Sequence, residues 1–399
     1  MVARAVKHRR RSATNVLLSR EQADELWFLL KQHASPPKLD QEMLNYDAFF
    51  SAGEKCGDLW GPSMHRLFRP SVFARLPKDQ HGRISALPFF EYCLHRSMLA
   101  QAQAGLEAAD SDGDGFVTRE ELMGWLDSQV PDLLPLAALC GQEGKSGGRA
   151  SLVKFRTTWA RMAVHKFFFF HGRLGKAPIK RLLTSHAMSE FFQLREAPAG
   201  GPSGRLLENW FSLEKSRWLH GMFSDLDKDK DGFLTPEELV QLPVCRLTPL
   251  FVQRVFEVHS GRHMKVARQY ESAAPQAARP GVSLEDFMDL IIAWESRFHH
   301  LGLTYFFQCM DLKDRGFLTQ VEVCHLFKAV KTMVMESWQD SGEYREEDVK
   351  DEIFDMVRPK DPLHITLDDL ARCGAGPLVV GMLCDVHTFV SYDCRENFS

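Results

Sequence analysis

The chain has 399 residues, of which 44% are hydrophobic, and a formal net charge of -4 at pH 7. This length and hydrophobic content allow a large buried core, so we expect a globular protein of two or three domains. The nearly balanced charge excludes a global attraction to nucleic acid or to an anionic membrane. The longest apolar runs, 167–170 and 290–294, are far shorter than the roughly 18 residues of a membrane span. The nine cysteines are scattered and never spaced as C-x-x-C, which indicates reduced cytosolic thiols.

The N-terminal segment, residues 1–14, is basic and lacks the apolar core of a secretory signal. A transit peptide and a nuclear signal are both compatible with it, but we expect a solvated arm. Ser19 followed by Gln22 predicts a capping box that starts an amphipathic helix, which Pro36 and Pro37 end. Helical periodicity dominates the rest of the chain, so the predicted fold class is mainly α.

Two twelve-residue segments, 110–121 (DSDGDGFVTREE) and 227–238 (DKDKDGFLTPEE), have the ligand spacing of EF-hand calcium loops. Each has carboxylates at loop positions 1, 3, 5 and 12, glycine at position 6 for the sharp turn, and an apolar residue at position 8. Position 7 offers its backbone carbonyl, and the threonine at position 9 binds directly or through water. The predicted metal ligands are Asp110, Asp112, Asp114, Phe116, Thr118 and Glu121, and Asp227, Asp229, Asp231, Phe233, Thr235 and Glu238.

Four carboxylates around one cavity repel one another, and a divalent cation relieves that repulsion. An acidic surface turn would not need the glycine, the apolar position 8 and the final glutamate together. We therefore predict two Ca²⁺ sites, with Mg²⁺ as a second candidate ion. The ligand set does not distinguish a calcium sensor from a buffer or from a permanently filled structural site, because similar ligand sets serve all three.

Weaker copies of the loop occur elsewhere in the chain. Segment 77–88 has prolines at its first and last positions, and segment 311–322 has Lys313 and Arg315 where carboxylates belong, so neither should hold calcium. Segment 358–369 is a further remnant, and 171–182 is a candidate too eroded to align.

EF hands fold in pairs, so each complete loop needs a partner. We expect 77–88 to pair with 110–121 and 311–322 to pair with 358–369. The partner of 227–238 would be the segment ending at 282–286, which follows a long insertion at 272–281 that we interpret as a loop.

The segment 196–205 (EAPAGGPSGR) is rich in proline and glycine and predicts a linker between two lobes. The N-terminal lobe would comprise residues 15–195, with the loops 77–88 and 110–121. The C-terminal lobe would comprise 206–399, with the loops 227–238, 311–322 and 358–369.

No sequence feature indicates an enzyme. The chain has no H-E-x-x-H, no G-x-S-x-G and no pair of cysteines at zinc spacing. The aromatic run 167–170 is compatible with a docking patch, but a packed core is the better interpretation.

Several segments together resemble the B″ regulatory subunits of protein phosphatase 2A, in particular the gamma branch with the plant Fass (Tonneau) proteins. They are 26–37 (LWFLLKQHASPP), 82–92 (GRISALPFFEY), 164–170 (VHKFFFF), 226–239 (LDKDKDGFLTPEEL) and 350–370 (KDEIFDMVRPKDPLHITLDDL). The resemblance implies a non-catalytic subunit whose EF-hand lobes dock on the HEAT-repeat scaffold subunit and hold substrates near the separate catalytic subunit. Relatives in the gamma branch often have a weakened loop where 110–121 is complete, which suggests additional calcium sensitivity here.

The family also suggests cytoskeletal roles, with microtubule-associated or ciliary proteins as further partners. The expected location is the cytoplasm and the cytoskeleton, at a centrosome, basal body or cilium, and a nuclear location is the alternative. A competing hypothesis is a structural EF-hand protein of a microtubule organelle, such as an axoneme or basal body, that does not regulate a phosphatase. A plain calcium buffer would not need so much chain outside the EF hands.

Overall fold

The computed structural model describes residues 18–34, 42–133, 148–196, 208–269, 281–337 and 344–396. This part of the chain is mainly helical with short two-stranded sheets, so the predicted fold class is confirmed. The chain divides into two compact units, Met1–Arg205 with Asn209–Ser212, and Leu206–Glu208 with Leu213–Ser399. The predicted arm at 1–14 lies outside the described residues, as do the predicted linker 196–205 and loop 272–281 apart from Glu196 and Gly281.

The first helix of the described residues starts with the predicted capping box, in which the Ser19 hydroxyl accepts the Gln22 N–H at 3.1 Å and the Gln22 side chain accepts the Ser19 N–H at 2.9 Å. Among the described residues of this unit, two short 3₁₀ turns, Pro62–Arg66 and Val130–Asp132, interrupt the helices. The elements in chain order are α1 Arg20–Gln32, β1 Met43–Leu44, α2 Tyr46–Trp60, α3 Pro70–Arg75, β2 Ile84–Ser85, α4 Ala86–Ala109, β3 Phe116–Thr118, α5 Arg119–Gln129, α6 Gly148–His171, β4 Lys176–Pro178, α7 Ile179–Leu183 and α8 His186–Glu196.

The second unit repeats the same alternation of helix, loop, short strand and helix. Capping boxes start the helices Pro236–Leu239, Leu284–Glu295 and Leu367–Arg372, because a serine or threonine precedes each helix and a carboxylate follows three residues later. The elements are α9 Leu213–Leu226, β5 Phe233–Leu234, α10 Pro236–Leu239, α11 Pro249–Gln269, β6 Val282–Ser283, α12 Leu284–Glu295, α13 His300–Met310, β7 Phe317–Thr319, α14 Gln320–Ser337, α15 Glu346–Val357, β8 His364–Thr366, α16 Leu367–Arg372, α17 Gly376–Cys384 and α18 Val386–Glu396.

Each of these strands belongs to a two-stranded antiparallel sheet that joins two loops, in the order β1–β2, β3–β4, β5–β6 and β7–β8. An apolar pair lies at the centre of each sheet, and all its side chains are fully buried. Burial of position 8 on both sides explains why helix–loop–helix units occur in pairs. The central pairs are Leu44 with Ile84, Val117 with Ala177, Leu234 with Val282, and Leu318 with Ile365.

Two of the predicted loop pairings are confirmed and one is wrong. Loop 311–322 pairs with 358–369, and loop 227–238 pairs with the segment that ends at 282–286. Loop 110–121, however, pairs with the strand at 176–178 and not with 77–88.

Each loop buries its apolar position 8 against a single partner loop, so loop 77–88, which is paired with an earlier hand, leaves loop 110–121 to pair with the loop that follows it. The eroded candidate at 171–182 is the partner of 110–121, displaced by one residue: Ala177 lies opposite Val117, so it occupies position 8 of a loop that spans 170–181. Ile84 of loop 77–88 pairs with Leu44 of an earlier hand. That hand has no acidic ligand pattern by which the sequence could reveal it.

The core of the first unit is rich in aromatic side chains. Phe49 and Phe89 pack with ring centroids 4.9 Å apart beside the β1–β2 sheet. Within the run 167–170, Phe167 and Phe168 are buried and the next two are half-buried, which supports a packing role. The indole N–H of Trp159 donates to the carbonyl of Phe211 at 2.8 Å, so the segment Asn209–Ser212 belongs to this core.

Among the helices of the described ranges, none is both long enough and apolar enough to cross a membrane. The cysteines in these ranges are free thiols, and five of them are buried: Cys56, Cys93, Cys245, Cys309 and Cys384.

Candidate calcium-binding loops

The first complete loop joins α4 to α5. Helix α4 ends at Ala109, and the buried Asp110 follows as its C-cap. The chain then turns through Gly113 and Gly115, which have φ of 75° and 85°, a region that favours glycine. As a result, carboxylate oxygens of Asp110, Asp112 and Asp114 lie within 4.8 Å of one another.

Backbone N–H groups hold the carboxylate at position 1 in place. Asp110 accepts hydrogen bonds from the N–H of Gly113 at 2.6 Å and from the N–H of Gly115 at 2.9 Å. Its side chain is thereby fixed and directed by the loop, rather than free to rotate in solvent. The loop therefore preorganises its first candidate ligand.

The carboxylate at position 12 closes the loop. Glu121 accepts the N–H of Ser111 at 2.9 Å with one oxygen and the N–H of Thr118 at 2.9 Å with the other. Hydrogen bonds from the Ser111 hydroxyl and from these backbone groups lower the pKa of Glu121 to about 2. The side chain is therefore ionised at neutral pH, as a calcium ligand must be.

The second complete loop, between α9 and α10, has the same construction. Asp227, Asp229 and Asp231 bring carboxylate oxygens within 4.8 Å of one another. Gly232, with φ of 84°, donates its N–H to Asp227 at 3.1 Å. Glu238 accepts the N–H of Lys228 at 2.9 Å, which is the counterpart of the contact between Glu121 and Ser111.

The pKa of Glu238 is also lowered, first by the hydrogen bond from the Thr235 N–H, with burial opposing the shift. The hydroxyls of Thr118 and Thr235 take part in capping boxes, where they donate to Glu121 and Glu238 at 3.1 Å and 2.9 Å. Their ligation of an ion, directly or through water, stays a prediction, as does that of the Phe116 and Phe233 carbonyls.

The donor chemistry of both loops fits Ca²⁺. Every candidate ligand atom is an oxygen, and four ligands per loop are carboxylates, which are hard donors suited to hard cations. In each loop the three aspartates are brought together, and the glutamate is folded back toward the first residues. When bound, calcium would supply the charge that holds these carboxylates together.

In the degenerate loops, cations of the chain itself contact the carboxylates. The Arg315 guanidinium lies 2.8 Å from Glu322 at position 12 of loop 311–322. Arg372 lies 2.8 Å from Asp369 at position 12 of loop 358–369. The expected exclusion of calcium from loop 311–322 stays a prediction, and in this loop the Arg315 cation lies beside Glu322, one of the two carboxylates that remain.

One residue at the first site was not foreseen. Lys176 on β4 places its ammonium nitrogen 2.8 Å from Asp112 and 2.6 Å from Asp114. Its hydrogen bond is the largest of the causes that lower the pKa of Asp112 to about 2, and the two aspartates raise the pKa of Lys176. Only knowledge of which loop pairs with 110–121 could have revealed this contact.

Paired helix–loop–helix units of this construction define the class of EF-hand proteins. The family model described as EF hand matches residues 103–124 and 219–243, which contain the two complete loops. The class is therefore established by the fold, the ligand chemistry and the family model together.

Similarity to known proteins extends over nearly the whole chain. The TON2 protein of Arabidopsis thaliana, described as a probable B″ regulatory subunit of serine/threonine-protein phosphatase 2A, is 35% identical over 96% of this chain and 76% of the relative. The gamma B″ regulatory subunits of the same phosphatase from Bos taurus and Homo sapiens are 33% and 32% identical over 99% of this chain and 80% of each relative. The chain therefore belongs to the B″ family of protein phosphatase 2A regulatory subunits, of the gamma and TON2 type.

A solved structure shares the fold. A chain of a PP2A PR70 holoenzyme, described as a di-calcium form, matches with a TM-score of 0.57 over 73% of this chain and 98% of that chain. The two sequences are 17% identical, so the likeness concerns the fold.

Proposed function

We propose that this protein is a calcium-binding, non-catalytic regulatory subunit of protein phosphatase 2A that docks on the scaffold subunit and tunes dephosphorylation by the catalytic subunit. One observation carries the proposal: a member of the B″ family has two loops that each assemble the carboxylates of an EF-hand site. Two calcium ions per chain follow from the two ligand sets, and Mg²⁺ would compete at the same oxygens.

The mechanism begins with charge. Without a divalent cation, Asp227, Asp229 and Asp231 repel one another at close range, and Glu238 adds a fourth negative charge. Binding would draw these groups together and change the angle between α9 and α10, which the loop connects. The β5–β6 sheet would pass the change to the partner hand, because Leu234 and Val282 are both fully buried at its centre.

Calcium can shift assembly only by its differential affinity for the free and the scaffold-bound subunit. Coupling free energies of this kind are typically about 1 to 3 kcal/mol, which corresponds to a change in scaffold affinity of roughly 5- to 150-fold. We therefore propose modulation of an existing assembly. For location, we propose the cytoplasm with recruitment to microtubule structures such as a centrosome, basal body or cilium.

The decisive experiment measures binding of the full chain to purified scaffold subunit, with and without the catalytic subunit, in EGTA and in calcium. Glu121→Gln and Glu238→Gln remove a charged ligand from each loop, and Glu120→Gln and Glu237→Gln are matched controls at exposed neighbouring positions. Scaffold binding that depends on calcium and on the ligand glutamates alone would support the proposal. Absence of scaffold binding, with co-purification of axonemal or centriolar material, would refute it in favour of the structural alternative.

A further inference from the structure

The two complete loops differ in what their partner loops place beside the ligands. In the first pair, Lys176 lies opposite Thr118 in the β3–β4 register, on the strand of the partner loop. From there its ammonium group contacts both Asp112 and Asp114, at 2.8 Å and 2.6 Å. A cation supplied by one hand thus sits on two candidate calcium ligands of the other.

The second pair has no such side chain at the equivalent position. The β5–β6 register pairs Leu234 with Val282, so the residue opposite Thr235 is Gly281. A Cβ atom at Gly281 would lie 2.7 Å from the Cβ of Phe233, which is closer than side chains approach one another. The packing of this pair therefore leaves no room for a lysine counterpart.

We propose that Lys176 is a resident cation of loop 110–121 that calcium has to displace, so that this loop has a lower calcium affinity than its own ligand set would give. The inference rests on the proposed calcium binding and adds a regulatory residue to that site. A cation already near Asp112 and Asp114 relieves part of their repulsion, so less is gained when calcium binds. With Gly281 in the equivalent place, loop 227–238 does not carry this penalty.

The contact is weak enough to be displaced. The Lys176 side chain is 38% exposed and the Asp112 side chain is 57% exposed, so both ion pairs are screened by solvent. The four-carbon stem of lysine can also move the ammonium group into water at little cost. Lys176 should thus raise the calcium concentration that the first loop needs, without closing the loop to calcium.

Calorimetric titration of the full chain with calcium tests the proposal. Loop 227–238 is first disabled with Asp229→Ala and Glu238→Gln, so that the heat reports loop 110–121 alone. In this background Lys176→Met should raise the calcium affinity about tenfold, because two exposed ion pairs no longer oppose binding. Lys176→Arg, which keeps the charge, should leave the affinity low. Lys180→Met removes the same charge from an exposed position on α7 and should change the affinity by less than twofold.

The outcomes separate this inference from the proposed function. Calcium binding of equal strength with and without the Lys176→Met substitution would overturn the inference and leave the calcium site intact. An equal gain from Lys176→Met and Lys180→Met would also overturn it, because the effect would then be one of net charge. Absence of calcium binding in both chains, with folded protein by circular dichroism, would refute the proposed site at this loop. A gain for Lys176→Met that Lys176→Arg does not show would support the inference.

Discussion

Replacing the cations of loop 311–322 with aspartates should create a third calcium site. The loop already has the backbone of its complete counterparts: Gly316 has φ of 81° and donates its N–H to Asp311 at 2.6 Å, and Glu322 accepts the Thr319 N–H at 2.9 Å. One oxygen of Asp311 and one of Glu322 are buried without a hydrogen-bond partner. Lys313→Asp with Arg315→Asp would therefore complete the carboxylate set at positions 1, 3, 5 and 12.

The magnitude follows from the charges. Without calcium, the variant loses the contact between Arg315 and Glu322, which contributes at most about 1 kcal/mol because Arg315 is partly exposed, and it gains carboxylate repulsion. Its melting temperature in EGTA should therefore fall by several degrees. With calcium at 100 times the dissociation constant, the native state gains about 2.7 kcal/mol. This gain corresponds to a rise of roughly 5 to 10 °C beyond the rise that calcium produces in the unsubstituted protein.

Calorimetric stoichiometry and thermal unfolding provide the assay. The variant should bind one more calcium per chain than the unsubstituted protein, with an affinity in the range of about 10⁻⁷ to 10⁻⁵ M that EF-hand sensors show. Adding Glu322→Gln to the variant removes the bidentate ligand and should abolish the extra binding. A folded variant with unchanged stoichiometry would refute the idea that Lys313 and Arg315 are what excludes calcium from this loop.

Three other places in the chain provide further predictions. Asp110→Ala with Glu121→Ala should remove one bound calcium and reduce calcium-dependent scaffold binding; unchanged binding would show that the first loop adds no sensitivity. The Lys166 ammonium lies 2.6 Å from Glu190 in a largely buried site. Glu190→Gln removes this charge partner and should therefore destabilise the protein by about 3 kcal/mol in urea unfolding. Asp369→Asn should lower stability at pH 7, and should lower it less at an acidic pH below about 4. Burial raises the pKa of Asp369, but hydrogen bonds, led by the one from the Thr366 hydroxyl, hold this pKa below the ordinary value. The ionised carboxylate therefore stabilises the folded protein above about pH 4, and this stabilisation is lost as the pH falls. An equal loss at both pH values would contradict this.

The complete loops could be predicted from the sequence because their chemistry is local. The ligands, the glycine and the apolar position 8 of each loop lie within twelve residues, and the same short-range pattern predicts the start of the following helix. The capping boxes at Thr118 and Thr235 are examples, since the glutamate that ends the loop also caps the helix. The same local pattern identified the loop at 311–322.

The pairing of hands in the first unit could not be predicted, because it depends on contacts between distant segments. In the sequence, nothing distinguishes Leu44 and Ala177 from other apolar residues. Their role is visible only in the fold, where they lie opposite Ile84 and Val117. The eroded loop at 170–181 keeps its apolar position 8 and the glycine at position 6, Gly175, but none of the carboxylate ligands that identify the complete loops. The role of Lys176 was hidden for the same reason, because its ligand contacts exist only across the β3–β4 sheet.

The hydrogen bond from Trp159 to Phe211 attaches the segment Asn209–Ser212 to the first unit, so a stable fragment of this unit has to include that segment. A fragment that ends within the proline- and glycine-rich segment at 196–205 would lack Trp210 and Phe211, both of which are buried in the first unit. It would leave the Trp159 indole N–H unpaired, at a cost of about 1 to 3 kcal/mol, and would expose apolar surface worth about as much again. A fragment that ends after Ser212 would keep Trp210 and Phe211 with the core of the first unit, so the boundary for expressing this unit lies beyond the proline- and glycine-rich segment.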